Sequence, residues 1–308
     1  MLLVDAHCDT ITALLETNQT LQASNTQVCL KKLKPFGQTV QFFAVWLNDE
    51  LAANAYANTV AALNFFNGEV RKNARHIAIA YNYSDIHVNA AANKISALLT
   101  VEGGEALEGE VRNLHRLYAA GVRSMTLLWN RPNALGYPSA VPNAKGLTAF
   151  GKMAVREMEA LRMIVDVSHL SVCGFFDVAA QSTKPFIASH SNVRALCPHH
   201  RNLTDDQIIT LRDAGGVMGL NMHPVFLRDS GRATGADVLR HIDHVLELAG
   251  DQCIGLGGDY DGISATPDDM PDVSAYHALY TDLQVRYGSK TADNIFGGNF
   301  LRLMECVL

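Results

Sequence analysis

Eight short apolar or β-branched runs, most of them separated by segments with helical patterning, constrain the fold of this chain more than any other feature. They cover 2–7, 39–47, 95–103, 122–129, 163–170, 185–190, 215–222 and 253–261. Most are continuously apolar rather than alternating, the pattern of strands buried on both faces of a parallel sheet. The segments between them carry helix signals. In 111–120, Val111, Leu114, Leu117 and Tyr118 share one face ahead of Gly121, and 147–162 carries a stripe of Met153, Val155, Met158 and Leu161. In 202–215, Thr204 stands as an N-cap with Gln207 in the capping-box position, Ile208, Ile209 and Leu211 follow, and Gly215 stops the helix. Segment 236–250 follows the same plan.

Strand–helix alternation repeated eight times predicts an α/β fold that closes into a (β/α)8 TIM barrel. An open doubly wound sheet fits less well. No GxGxxG follows the first run, and polar residues stand at the end of nearly every run rather than at one switch point. A barrel of this kind uses about 250 residues as one domain. With no internal repeat or linker, 1–308 reads as one catalytic domain. The longest connectors, about 48–94 and 130–150, are decorated βα connections; the second is rich in Pro, Asn and Gly and is expected over the active-site face.

Composition narrows the partners. The chain carries a formal net charge of -6 and no block of Lys or Arg able to track a phosphate backbone, so nucleic acid is excluded as a partner. Six cysteines are scattered without CxxC pairing, which suits a reducing cytosol better than a disulfide framework. Met1 leads straight into LLVDAHCD without a basic segment and an apolar leader core, and no apolar stretch reaches the roughly 18 residues of a membrane span. A soluble cytoplasmic protein without membrane attachment is the expectation.

Barrel enzymes place their working residues at the C-terminal ends of strands. Here those ends carry His7 and Asp9, Glu102, His169, His190, and Asp259 with Asp261. In His7-Cys8-Asp9 the two-residue period sends His7 and Asp9 to one side and Cys8 to the other. A glutamate can bridge two cations through its two oxygens, and Glu102 is the candidate. His169 and His190 offer nitrogen to a second site. Imidazole with carboxylate favours zinc or another borderline divalent ion. A lone HxD is a weak signal; the conjunction of positions at five strand ends is the strong one.

At these residues the chain resembles the membrane dipeptidase (renal dipeptidase) family, peptidase family M19. The resemblance rests on the HxD near the N-terminus, VEGGE at 101–105, DVSHLS at 166–171, ASHSN at 188–192, RNLTDDQI at 201–208 and GLGGDYDG at 255–262, and it runs to the GNFLRLMECV tail. It implies a binuclear centre of two Zn2+ per chain, other divalent metals being possible, on a barrel of the metal-dependent hydrolase type. His7 and Asp9 would bind one ion, His169 and His190 the other, and Glu102 would bridge them. It further implies a metal-bridging hydroxide that attacks the peptide carbonyl. Asp259 would take the proton of the water and pass it to the leaving amine, with Asp261 orienting the loop. Arg201 would hold the substrate's C-terminal carboxylate, a role its guanidinium fork suits. His199 and His200 are expected to be loop residues. Animal members carry a histidine near the scissile carbonyl where this chain has Trp129, followed by Asn130; both are taken as substrate-binding. The activity implied is cleavage of dipeptides with a free C-terminal carboxylate, L-Xaa–D-Xaa included, by a homodimer.

Two rival readings are weaker. Other amidohydrolase-type enzymes acting on lactones or amides use HxH on the first strand and a carboxylated lysine on the fourth. This chain has HxD, Glu102 and no such lysine. A non-catalytic metal-binding derivative would have lost a ligand or the proton carrier, and here all six positions are filled.

Overall fold

The apolar runs form parallel strands, which we describe from a computed structural model covering residues 1–48 and 50–308. These are β1 (Leu2–Cys8), β2 (Gln38–Trp46), β3 (Ile77–Ile79), β4 (Ile95–Glu102), β5 (Val122–Thr126), β6 (Ile164–Asp166), β7 (Ile187–Ala188), β8 (Val217–Leu220) and β9 (Ile254–Leu256). Their order is β2-β1-β9-β8-β7-β6-β5-β4, and β4 pairs back onto β2, so the sheet closes into an eight-stranded barrel. Helices follow most strands, giving the expected (β/α)8 architecture.

The connector 48–94 contains a strand absent from the eight runs. β3 pairs with the first residues of β4 (Ile77↔Ile95 to Ile79↔Ala97), whereas β5 joins β4 only from Leu99 onward. β2 occupies the other edge of β4 along its length, so β3 covers the stretch of edge that β5 leaves open. Three residues are too few to show any periodicity. The later strands are shorter than their runs, because the polar ends of those runs peel into the loops that build the barrel mouth.

Side-chain alternation sorts the core into two layers. Val4, Ala6, Val40, Phe42, Leu98, Ile164, Ile187 and Val217 pack together with Phe300, Leu303, Met304 and Val307 of the C-terminal helix Asn299–Val307. That helix therefore closes the N-terminal end of the barrel. The opposite faces, including Leu3, Cys8, Phe43, Val45, Leu99 and Val101, pack against the surrounding helices. The helix signals hold at Thr204, whose capping box with Gln207 is formed, and at Val111–Ala119 ahead of Gly121. Met153 departs from its expected stripe: it is exposed, and Ala154 takes the buried position in Ala149–Ala160. Among the described residues no helix is long and apolar enough to cross a membrane.

Close approach of backbones narrows the barrel beneath the mouth. A Cβ on Gly257 would lie 1.7 Å from the Ser189 carbonyl oxygen, and one on Gly219 would lie 2.1 Å from it. Both obstacles are backbone and cannot swing away. Gly257→Ala is expected to destabilise the chain by about 3 kcal/mol or more, at the upper end of overpacking costs. Urea unfolding checks this, and an unchanged midpoint would show that the strands can move apart.

Candidate metal centre

Every residue singled out at the barrel mouth except Asp261 converges on one point. His7 and Asp9 leave the end of β1 on the same side; Cys8 points away into the outer core. His7 Nε2 lies 3.5 Å from Asp9 Oδ2, 3.5 Å from Glu102 Oε2 and 3.8 Å from Asp259 Oδ1. The second oxygen of Glu102 faces the other pair: Oε1 is 2.9 Å from His169 Nε2 and 3.3 Å from His190 Nε2. Those two ring nitrogens are 3.1 Å apart. Glu102, at the end of β4, thus stands between two half-sites. Three groups place their ligand atoms close enough to share an ion: His7-Asp9-Asp259, Glu102-His169-His190 and His7-Asp166-His190.

Outer hydrogen bonds set the tautomers. His169 Nδ1–H donates to Asn130 Oδ1 at 3.0 Å, which leaves the Nε2 lone pair facing the centre. His190 Nδ1–H donates to Ser189 Oγ at 2.7 Å, and Ser189 in turn donates to Asp166 Oδ2. Asp166 also accepts from Thr126 Oγ1 and from the Ser168 and Ser189 amides, so its oxygens are already engaged. Its effect on the site runs through Ser189. Asp166 was missing from the candidate set, although a carboxylate inside the apolar run MIVDVSHL was the available signal. Asn221, also missed, donates to Asp259 Oδ2 at 2.7 Å and orients that carboxylate. No local pattern marks it, since the contact joins different strands.

The electrostatics call for a cation. Burial opposes charge on Glu102, yet His7, His169 and His190 outweigh it and hold this carboxyl well below its usual range. Burial opposes charge on His7 as well, but Glu102 and Asp9 drive its pKa well above the ordinary value. Burial pushes Asp9 up to about 6, helped by Glu102, and Asp259 up to about 7, where His7 opposes the rise and Asp9 and Glu102 add to it. His169 falls to about 4 through burial and Arg201, and His190 falls well below its usual value through burial and His7. Three carboxyl groups, Asp9, Glu102 and Asp259, are thus buried around His7, and the rise at Asp9 and Asp259 shows that their ionised forms are not fully compensated by the protein's own groups. Both His7 ring nitrogens and Asp9 Oδ1 are buried without a hydrogen-bond partner. Such orphaned atoms cost free energy unless something binds them. The donor set and its unpaired atoms fit divalent ions.

Strain accompanies this arrangement. His169, Asp259 and Asp261 have φ of 68°, 59° and 69°, a left-handed region that non-glycine residues seldom occupy. Asp261 points away from the centre: it accepts from Thr10 Oγ1 and the Gln27 and Val28 amides, and its own N–H donates to Gln27. It ties its loop to the segment after β1.

The centre opens into a cavity of about 570 Å3 whose lining includes Trp46, Trp129, Asn130, Arg201, His223 and Phe226. Trp129 lies in the loop beyond β5 and packs edge-on against Trp46 with ring centroids 4.9 Å apart. Arg201 is buried; its Nη2 reaches the His190 carbonyl at 3.4 Å, and among the described residues it makes no ion pair. Burial lowers its pKa to about 10, a value that leaves it charged. Ala140, from the long connector after β5, also lines the cavity, as expected for that loop.

Comparison with known proteins identifies relatives of this chain. A protein from Klebsiella pneumoniae described as an uncharacterized protein in the pqqA 5'region is 36% identical over 250 residues, 77% of this chain and 92% of its own length. Dipeptidase aclJ of Aspergillus oryzae is 35% identical over 73% of this chain and 55% of its own length, and dipeptidase 3 of Macaca fascicularis is 31% identical over 75% and 50%. The matched region thus spans about half the length of the mammalian and fungal dipeptidases. Among solved structures, a metallo peptidase from Rhodobacter sphaeroides, liganded with a phosphinate mimic of the dipeptide L-Ala-D-Ala, superimposes with a TM-score of 0.92 at 26% identity, over 100% of this chain and 99% of that one. Dipeptidase AC, a metallo peptidase of family M19, gives 0.92 at 28%, over 100% and 98%. The family model for membrane dipeptidases matches residues 1–307. With that match over nearly its whole length, the chain belongs to the membrane dipeptidase family of metallopeptidases, peptidase family M19.

Proposed function

We propose that this chain is a zinc-dependent dipeptidase acting on dipeptides with a free C-terminal carboxylate, L-Xaa–D-Xaa among them. One observation carries the reading. Two half-sites sharing Glu102 open into the same cavity as Arg201, a buried guanidinium without an ion-pair partner among the described residues. His7 and Asp9 would hold one zinc, His169 and His190 the other, with Glu102 between them. Bound there, two divalent ions lower the pKa of a water and offset charge developing on the carbonyl oxygen. Asp259 stands beside His7, oriented by Asn221, and serves as the base for the water and then the acid for the leaving amine. Asn130 and the Ser189–Asp166 pair keep the two histidines aimed.

Arg201 gives the substrate its direction. It follows β7, while Trp46 ends β2; these two strands lie opposite each other in the closed ring. A carboxylate paired with Arg201 would therefore send the amino end toward Trp46 and Trp129. Support for a D-residue at the C-terminal position comes from the L-Ala-D-Ala mimic held by the Rhodobacter metallo peptidase. All six cysteines are free, which supports a reducing, cytoplasmic setting.

The test is ninhydrin-detected hydrolysis of L-Xaa–L-Xaa and L-Xaa–D-Xaa dipeptides by zinc-loaded protein, with C-terminally amidated dipeptides and a chelated sample beside them. Cleavage confined to free carboxylates and abolished by chelator supports the reading; no cleavage with two metals still bound overturns it. Arg201→Lys is expected to raise KM by roughly 10- to 100-fold, because a point charge replaces a bidentate fork. An unchanged KM would remove Arg201 from the site.

A further inference from the structure

The cavity wall beside Arg201 holds imidazoles that take no part in the metal centre. His199, His200 and His223 line the cavity together with Phe226. The Phe226 ring lies 4.6 Å from that of His199, 5.0 Å from that of His223 and 5.7 Å from the Arg201 guanidinium; the His199 and His200 rings are 4.2 Å apart. His199 Nδ1 accepts the Arg201 amide at 3.2 Å, so the ring proton sits on Nε2. Burial, with His200 and Arg201, lowers the His199 pKa to about 4, so it stands there as a neutral N–H donor. Among the described residues nothing accepts from that Nε2–H, and no hydrogen bond or ion pair engages the His200 ring.

Donors at this wall exceed what one carboxylate requires. A bidentate carboxylate occupies two of the five N–H groups of an arginine, and one more of Arg201 reaches the His190 carbonyl. Arginines elsewhere are held either by carboxylates, as in Arg286–Asp243 and Arg232–Asp268, or by sets of carbonyls, as Arg123 is by those of Tyr81, Tyr118 and Val122; Arg201 has a single carbonyl at 3.4 Å. Here three of the cavity's carboxylates, Asp9, Glu102 and Asp259, are gathered at the metal centre; Glu16 lies in the helix Thr10–Thr17 after β1 and Asp261 in the loop after β9, and among the described residues no carboxylate pairs with Arg201, His199 or His200. The cavity is therefore polarised, acidic at the centre and donor-rich around Arg201.

We propose that this wall reads a second carboxylate, the acidic side chain of an aspartate or glutamate at the C-terminal position of the dipeptide. The assignment rests on Arg201 as the clamp for the α-carboxylate. With that group on Arg201, the side chain of the same residue meets His199 Nε2–H and the His200 ring. A glutamine or asparagine side chain offers these donors only a neutral amide oxygen, a weaker acceptor than a carboxylate.

The test compares isosteric pairs on the zinc-loaded full chain. We measure kcat/KM for L-Ala–Glu against L-Ala–Gln, each with L and D C-terminal residues. In parallel, calorimetry measures binding of free glutamate and glutamine. Glutamate is expected to be preferred by roughly 10-fold or more in both measurements, the size of a charge-assisted hydrogen bond. In His199→Asn, whose amide oxygen still accepts from the Arg201 N–H, and in His200→Ala, the Glu-to-Gln ratio is expected to fall several-fold toward one. A ratio near one in the unmodified protein, or a ratio unmoved in both variants, overturns the proposal. Should no dipeptide be cleaved, the dipeptidase reading falls by itself. Binding then decides this proposal: preference for glutamate upholds it, and no preference or no binding overturns it.

Discussion

Asp259→Asn is expected to lower kcat by about 10²- to 10⁴-fold, the range a positioned acid–base group contributes. The asparagine preserves shape and keeps an oxygen for the Asn221 amide, which donates to Asp259 Oδ2 at 2.7 Å. What it loses is the ability to take a proton and return it. The carboxylate sits where that ability is useful: 3.8 Å from His7 Nε2 and held in a left-handed backbone conformation (φ 59°) that aims it at the centre. Burial opposes its ionised form and brings its pKa to about 7 without bound ions. Kinetics on a dipeptide with metal content measured in the same preparation checks the prediction. A variant retaining more than about a tenth of the activity with both metals bound would pass the proton-carrier role to another group.

Glu102→Gln is expected to act on metal content before chemistry. Its two oxygens face different half-sites, at 3.5 Å from His7 Nε2 on one side and 2.9 Å from His169 Nε2 on the other. An amide replaces one of these oxygens by an N–H2 that repels a cation. Affinity for at least one ion should fall by more than about 100-fold, beyond what losing an outer hydrogen-bond partner costs. Binding to the folded state stabilises it by mass action, so the unmodified protein should melt higher with zinc than without, and the variant should lose much of that difference. Elemental analysis after dialysis and paired thermal melts read both effects. A variant that keeps two ions per chain through dialysis would mean that Glu102 does not bridge.

Much of the candidate site was legible in the chain because strand termini concentrate it. His7, Asp9, Glu102, His169, His190 and Asp259 each follow an apolar run, and a barrel sends the ends of all its strands to one mouth. The residues that orient them were harder to see. Asp166 acts on His190 only through Ser189, and Asn221 meets Asp259 from the neighbouring strand. Asn130, read as a substrate contact, lines the cavity and also accepts from His169 Nδ1. Such contacts depend on how loops from different strands lie against each other, and spacing along the chain does not encode that.

The sequence by itself determined the barrel, its helical wrapping and the polar strand ends, because apolar continuity, caps and glycine stops are local signals that propensity and burial translate directly. Only the tertiary structure decided the rest. It inserted β3 along the edge of β4 that β5 leaves open, and used Asn299–Val307 to seal the barrel floor. It brought Phe226 and His223 against the wall formed by His199 and Arg201, and turned Asp261 away from the centre to hold Gln27 and Val28. These outcomes follow from closure of the ring: once eight strands meet, the distance between two side chains is set by strand order and loop path rather than by their separation in the chain.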